Sequence, residues 1–298
     1  GALASVGVAA CGEDATETGS EPTAATDGAA GDDAAVTEPT DDAVTEGDLP
    51  ERIVSLSPTA TEMLFAIGAG EQVVAVDDQS NFPEDVPVTD LSGFEPNLEA
   101  IITYEPDLVV ASGLPVDVVV LQYDAATVLD DTYEQIADLG IVTGHEDEAA
   151  DLVAQMRADI DELVASVPER DEAPTYYHEL DDTLFSATSA TFIGELYTLA
   201  GLENVADAAD PDGGLGGFPQ LSAEFLVSAD PDFIFLADTL CCGQDATTVA
   251  ARPGFADLTA VRDGRVVELS DDIASRWGPR VVEFLATIVE ATAEVPVG

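Results

Sequence analysis

The chain reads as α/β: two Rossmann-like lobes with parallel-rich sheets, joined by a long rigid helix, with a cleft between the lobes. Three observations predict this. Short apolar runs alternate with helix-patterned segments, as parallel strands covered on both faces require. One amphipathic segment, Glu146 to Val167, outlasts all the others and stands between two such series. The two series also share a motif. With 298 residues, 46 % of them hydrophobic, the chain can bury a core in each lobe.

Folded structure is predicted to begin at Arg52-Ile53-Val54-Ser55-Leu56, a short buried strand. Ser57-Pro58-Thr59-Ala60-Thr61-Glu62 is a turn with helix-start chemistry. Met63 to Ile67 continues as helix, and Gly68-Ala69-Gly70 ends it. Val73 to Val76 is the next strand. Asn97 to Tyr104 is a helix closed by Glu105-Pro106, because the residue before Pro disfavours the α region. Leu108 to Ala111 is again a buried strand. Only about six residues separate it from the strand at Val118 to Gln122, where a parallel crossover needs a dozen or more. Either a helix is shortened there or the pair is antiparallel.

Leu152, Val153, Met156, Ile160, Leu163 and Val164 fall at helical spacing and mark the long connector, which stops at Pro168. A second series starts at Thr175-Tyr176-Tyr177. The expected organisation is a leader remnant over 1–11, an acidic tether over 12–50, one lobe over 51–145, the connector over 146–167 and a second lobe over 168–298.

The halves echo one another. Glu99-Ala-Ile-Ile-Thr-Tyr-Glu-Pro106-Asp107-Leu-Val-Val aligns without a gap to Glu224-Phe-Leu-Val-Ser-Ala-Asp-Pro231-Asp232-Phe-Ile-Phe. Glu62-Met-Leu-Phe-Ala-Ile-Gly-Ala-Gly-Glu71 matches Glu195-Leu-Tyr-Thr-Leu-Ala-Gly-Leu-Glu203 with one gap. Two like lobes facing one another enclose a groove, the usual seat of a small ligand.

Acidic residues number 61 against 8 basic ones, all Arg, for a net charge of −53. Such a surface repels phosphates and excludes a nucleic-acid partner. It suits a protein kept soluble at high salt. From Gly12 to about Pro50 the chain holds almost no large apolar residue and is expected to be disordered. Before it, Val8-Ala9-Ala10-Cys11-Gly12 resembles the bacterial lipobox, whose Cys becomes the lipidated first residue. The apolar Gly1 to Ala10 then reads as the tail of a signal peptide. A lipidated Cys11 and a polar tether would hold a folded domain off a membrane, outside the cytoplasm.

Arg52-Ile-Val-Ser-Leu-Ser-Pro-Thr-Ala-Thr-Glu62, Asn97-Leu-Glu-Ala-Ile, Pro106-Asp-Leu-Val-Val and Arg276-Trp-Gly-Pro-Arg280 resemble the helical-backbone substrate-binding proteins of ABC importers for ferric siderophores, haem and vitamin B12. The resemblance covers about residues 50 to 293. It implies a monomeric receptor that delivers a cobalt- or iron-containing chelate to a permease dimer with its ATPase. It implies no resident cofactor. In that family each lobe shows one surface Glu to the permease; by motif position these are Glu99 and Glu224. Each is also a first-turn helix acid, favoured there by the helix N-terminus.

Loops at strand ends line the cleft of such an architecture. The candidates for ligand contact are Ser57, Thr59, Phe82, Phe94, Phe185, Phe218, Asp272, Arg276 and Trp277. Phe218 follows the glycine-rich Gly213-Gly-Leu-Gly-Gly, where a flexible loop would present an aromatic to a large planar ligand such as a corrin. Trp277 is the chain's only Trp. Arg276 is either an anion grip or a structural ion pair; Arg280 reads as structural. A shortage of cations leans away from strongly anionic catecholate chelates. Cys241 and Cys242 are adjacent and open to two states, a vicinal disulfide or two thiols.

An enzyme needs a constellation that this sequence does not show: it lacks Gly-x-Ser-x-Gly, a phosphate-binding Gly-Lys-Ser/Thr and a dinucleotide Gly-x-Gly-x-x-Gly after a strand. His178-Glu179-x-Asp181 is the one arrangement drawable as a base with carboxylate support, the rival hydrolase reading. A zinc or manganese receptor is the other rival, weakened by only two His, His145 and His178. A structural or adhesive surface protein would bind no small ligand. No metal site is expected.

Overall fold

The computed structural model describes residues 49–111 and 120–293. Cys11, nearly all of the acidic tether, and Val118 and Val119 lie outside the described residues.

The first lobe runs β1 (Ile53–Leu56), α1 (Pro58–Ala66), β2 (Val73–Asp77), β3 (Val88–Leu91), α2 (Leu98–Ile102), β4 (Leu108–Ala111) and β5 (Val120–Gln122). Its five strands are ordered β3-β2-β1-β4-β5, all parallel. Two helices follow, α3 (Leu129–Thr143) and α4 (Glu146–Ser166). The second lobe runs β6 (Thr175–Glu179), α5 (Phe192–Leu199), β7 (Glu203–Asn204), α6 (Ala223–Ala229), β8 (Phe233–Leu236), α7 (Thr239–Cys242), α8 (Ala246–Ala250), α9 (Thr259–Arg262) and β9 (Val266–Glu268). Its order is β7-β6-β8-β9, again parallel. The chain ends its described course in α10 (Asp271–Ser275) and α11 (Val281–Thr292).

The two lobes repeat one another down to single hydrogen bonds. Asn97 and Ser222 cap α2 and α6, each accepting from the backbone three residues on. Glu105 and Asp230, both just before Pro, hold left-handed backbone at φ 47° and 44°. That conformation stops the helix and turns the chain toward the next strand. Asp107 then accepts the N–H of Arg52 at 2.8 Å, and Asp232 that of Thr175 at 2.9 Å. In each lobe, therefore, the Asp of Pro-Asp ties the start of one central strand to the start of its neighbour.

Period-2 alternation sorts the strand side chains to two faces. Val54, Leu56, Val109 and Ala111 pack with Ile101 of α2. Tyr177, Ile234 and Leu236 pack with Leu226 of α6 and with Phe255. The other faces merge: Ile53, Val110, Tyr176, Phe233 and Phe235 belong to one apolar cluster with Leu64, Ile136, Met156, Leu196 and Phe284. This cluster runs from the first lobe through α3 and α4 into the second.

Several expectations change. Helix α1 begins at Pro58, ahead of the apolar periodicity, because Ser57 accepts the Ala60 N–H and Pro stands at the first helical position. Helix α2 is shorter than Asn97 to Tyr104. The open choice at β4 and β5 resolves to parallel pairing, with Val109 opposite Val120. Helix α3 is absent from the sequence expectation. The connector α4 packs against α3 on one side and α11 on the other, so the C-terminal helix shares its role.

Candidate functional site

The seam between the lobes is built around Glu62, which α1 carries into the interior. Its carboxylate is buried. It receives Arg276 Nη1 at 2.8 Å and Arg280 Nε at 2.9 Å, and Arg280 Nη2 as well. Arg276 and Arg280 come from the segment after α10, more than two hundred residues along the chain. Arg276 also donates to Asn81 Oδ1, the Gln79 carbonyl and Asp272 Oδ1. Asn81 in turn donates to Asp272 Oδ2 at 2.7 Å. The repeat partner of Glu62 does the same work from the other lobe: Glu195 accepts the Leu129 N–H at 2.7 Å, joining α5 to α3. Burial raises the Glu195 carboxyl above the usual range, and the Leu129 bond works against that.

Trp277 sits on this seam. Its indole N–H reaches Gln135 Oε1 at 3.0 Å and its carbonyl accepts from Thr132. Two compartments meet at Ser275, Arg276 and Trp277. The first-lobe compartment, about 510 Å³, is walled by Ser57, Thr59, Asp77, Gln79, Phe94 and Asp272. The second-lobe compartment, about 330 Å³, lies between Ala125 to Thr127 and Leu180, Thr191 to Ile193 and Phe218. Together they form the groove of a two-lobed binding protein, of a size suited to a small ligand.

Local chemistry sets the walls. Ser92 Oγ accepts the N–H groups of Phe94 and Glu95, shaping the loop that leaves Phe94 89 % exposed. Gly93 is required there, since a Cβ would lie 2.5 Å from the Leu56 carbonyl oxygen. Asp77 Oδ1 accepts from Gln79 and Ser80. Burial raises its carboxyl. The loop before Phe218 is more ordered than its glycines imply: Asp210 accepts from Leu215 and Gly217, and Gly217 (φ 84°) has Thr191 Cγ2 where a Cβ would stand.

The structure thus brings Ser57, Thr59, Phe94, Asp272, Arg276 and Trp277 to one compartment and Phe218 to the other. It leaves two candidates out of both. Phe82 lies under Arg280, whose guanidinium is 4.3 Å from the ring centroid. Phe185 forms a bridge to Gln220. Arg276 is the structural ion pair of its two readings, because both terminal nitrogens are taken. Sequence reading missed Asp77, Gln79, Ala125 to Thr127 and Thr191 to Ile193. The N-cap Thr191 before two apolar residues was a usable signal; Asp77 at a strand end was another.

Glu99 and Glu224 are exposed in the first turns of α2 and α6. The Cys241 and Cys242 sulfurs are in bonding contact on α7, with Cα atoms 3.8 Å apart. Asp271 grips that turn through the N–H groups of Thr239, Leu240 and Cys241. Burial raises the Asp271 carboxyl, and these bonds outweigh it, holding the group below the usual range.

The rival reading of His178 as a base does not fit this geometry. His178 is fully buried among Tyr197 and Phe284, its Nδ1 bonds the Tyr197 hydroxyl, and burial lowers its pKa to about 3. Its neighbour Glu179 forms a two-bond pair with Arg252, and Asp181 serves Thr183. These groups share no reaction site. Among the described residues no His, Cys, Asp and Glu group together as metal ligands.

The fold and the seam define a class, the two-lobed solute receptor. The comparisons agree. The chain belongs to the periplasmic binding protein family, whose model matches residues 53–273. It is 33 % identical over 276 residues to a cobalamin-binding protein of Halobacterium salinarum, covering 86 % of this chain and 73 % of that one. It is 28 % identical to an uncharacterized ABC transporter substrate-binding lipoprotein, YvrC, of Bacillus subtilis, covering 81 % and 80 %. The fold is that of a possible iron-binding periplasmic solute-binding protein from Staphylococcus epidermidis, at TM-score 0.71 and 24 % identity, over 82 % of this chain and 99 % of that one. No helix among the described residues is long and apolar enough to cross a membrane.

Proposed function

We propose that this chain is the extracytoplasmic, lipid-anchored receptor of an ABC importer, a monomer that captures a corrinoid chelate and hands it to the permease. The observation that carries the reading is the groove itself: both lobes wall it, Trp277 stands at its centre, and Phe94 and Phe218 flank it from opposite lobes. Exposed aromatic faces and apolar floors suit a macrocycle's broad surface. The name of the Halobacterium relative supports a cobalamin-like guest. Cys11 would carry the anchor and residues 12–50 the tether; the Bacillus lipoprotein supports that part. Glu99 and Glu224, equivalent by the repeat, would dock one to each permease subunit.

Titration of Trp277 emission with cyanocobalamin, haem and ferric siderophores tests the reading. One-to-one binding of cyanocobalamin is expected. A chain that binds none of these chelates is not such a receptor. Glu99→Ala with Glu224→Ala should abolish uptake in a reconstituted importer while leaving that titration unchanged; weakened binding instead would place the two acids in the wrong role.

A further inference from the structure

We infer that the groove selects its guest by charge, admitting a neutral or cationic chelate whose rim offers hydrogen-bond donors and rejecting one whose rim carries carboxylates. The inference rests on the receptor reading above and narrows it.

The chain has eight basic residues, all Arg, and all lie within the described residues. Of these, Arg276 lines the compartments, and both its terminal nitrogens are engaged by protein oxygens. Arg280 beside it is held by Glu62. None of the other six lines either compartment: Arg252 pairs with Glu179, Arg157 with Asp130, and Arg265 with Asp232 and Asp263, while Arg52 donates to the Tyr104 carbonyl, Arg170 to the Thr292 carbonyl and Arg262 to Thr259. A guest carboxylate would therefore have to break the lobe seam to find a guanidinium.

What the walls offer is acid. The charged side chains that line the first compartment are Asp77, Asp272 and Arg276, an excess of one negative group. Asp77 takes its bonds from backbone N–H groups and Ser80, with no Arg among them. Beside the second compartment, a recess sharing Ala125 and Thr127 with it carries Asp124, Asp131, Glu134 and Asp138. Amide N–H groups on a guest can donate to such oxygens; a guest carboxylate at the same place has no proton to give and meets like charge. Repulsion by the rim acids fades in salt, whereas that from buried Asp77 is screened much less.

The test titrates the full chain, by Trp277 emission, with cyanocobalamin and with the monocarboxylate made by hydrolysing one of its peripheral amides, at about 0.1 M and about 1 M NaCl. The acid is expected to bind at least about tenfold more weakly at both salt concentrations. Asp77→Asn should narrow that gap. Asp272→Asn, which removes one negative charge from the wall while the Gln79 carbonyl still holds Nη2 of Arg276, should narrow it independently. Equal affinity for amide and acid at high salt overturns the charge rule and leaves the receptor reading standing. Tight binding of haem, through its carboxylate-bearing face or otherwise, also overturns it. If neither corrinoid binds but a ferric chelate without net negative charge does, the corrinoid reading falls and the charge rule stands.

Discussion

Glu62 of the first lobe and Arg276 from beyond the second meet at 2.8 Å in the seam, with Arg280 closing on the same carboxylate. Removing one partner of a buried pair leaves uncompensated charge, at a cost of about 3–5 kcal/mol. Glu62→Ala is therefore expected to lower the urea-unfolding free energy by about that amount. A loss below about 1 kcal/mol would show that the seam is wet enough to rehydrate both guanidiniums. The same clamp, with the apolar cluster that runs through α3 and α4, predicts small lobe movement on ligand binding. Solution scattering should give nearly equal radii for free and loaded protein, and Glu62→Ala should enlarge the difference.

Two buried groups set opposing pH dependences. Asp238 is buried, with neither carboxylate oxygen bonded, and its pKa is raised to about 7, chiefly by burial and then by Glu179. Folding thus binds a proton that the unfolded chain releases near pH ~4, so its contribution to stability falls as pH rises from about 4 to about 7. His178, lowered to about 3 by burial, is neutral in the fold, so its contribution is lost as pH falls below about 6.5. Between about 4 and 6.5 the two offset one another. Denaturation midpoints of Asp238→Asn should rise with pH across that range, and those of His178→Phe should fall. Identical slopes in both variants and the parent would refute the assignment.

The aromatic walls should contribute separately to ligand capture. Phe218→Ala and Phe94→Ala are each expected to weaken cyanocobalamin binding on the order of tenfold, about 1.4 kcal/mol. The lobes are independent surfaces on one guest, so the double variant should lose nearly the product. Phe185→Ala, outside both compartments, should bind as the parent does. If Phe185→Ala proved as damaging as Phe218→Ala, the groove as drawn would be wrong.

Cys241 and Cys242 predict a labelling result. Under denaturing, non-reducing conditions an alkylating reagent should modify Cys11 alone in the unlipidated chain, and all three Cys after reduction. Labelling of three without reductant would show α7 to be a dithiol turn.

How much was legible follows from where the information resides. The repeat was readable because its parts are local: a capping Asn or Ser, a helix acid, then Pro-Asp within eleven residues of chain, each acting on its own backbone. The connector was readable because one long helix must show its apolar face to something. Helix α3 was not, for Val128, the residue that precedes it, has no side chain able to cap it, and Asp131 inside the helix accepts the N–H groups of Thr127 and Val128 instead. Phe82 and Phe185 looked like ligand aromatics since loop position is visible in a sequence, but what a ring packs on is not. Arg276 could be an anion grip or a strut, and only the arrival of Glu62, Asn81 and Gln79 from the other lobe decides between them.

The sequence by itself determined the two-lobe plan, the shared helix–Pro–Asp–strand joint, the excess of acid and the scarcity of cations, because periodicity, caps and charge are properties of neighbouring residues or of a simple count. Tertiary structure alone decided which acids meet which arginines and which side chains wall the groove. The Glu62 contacts with Arg276 and Arg280 join segments more than two hundred residues apart, and their energies depend on burial and geometry that no local pattern encodes.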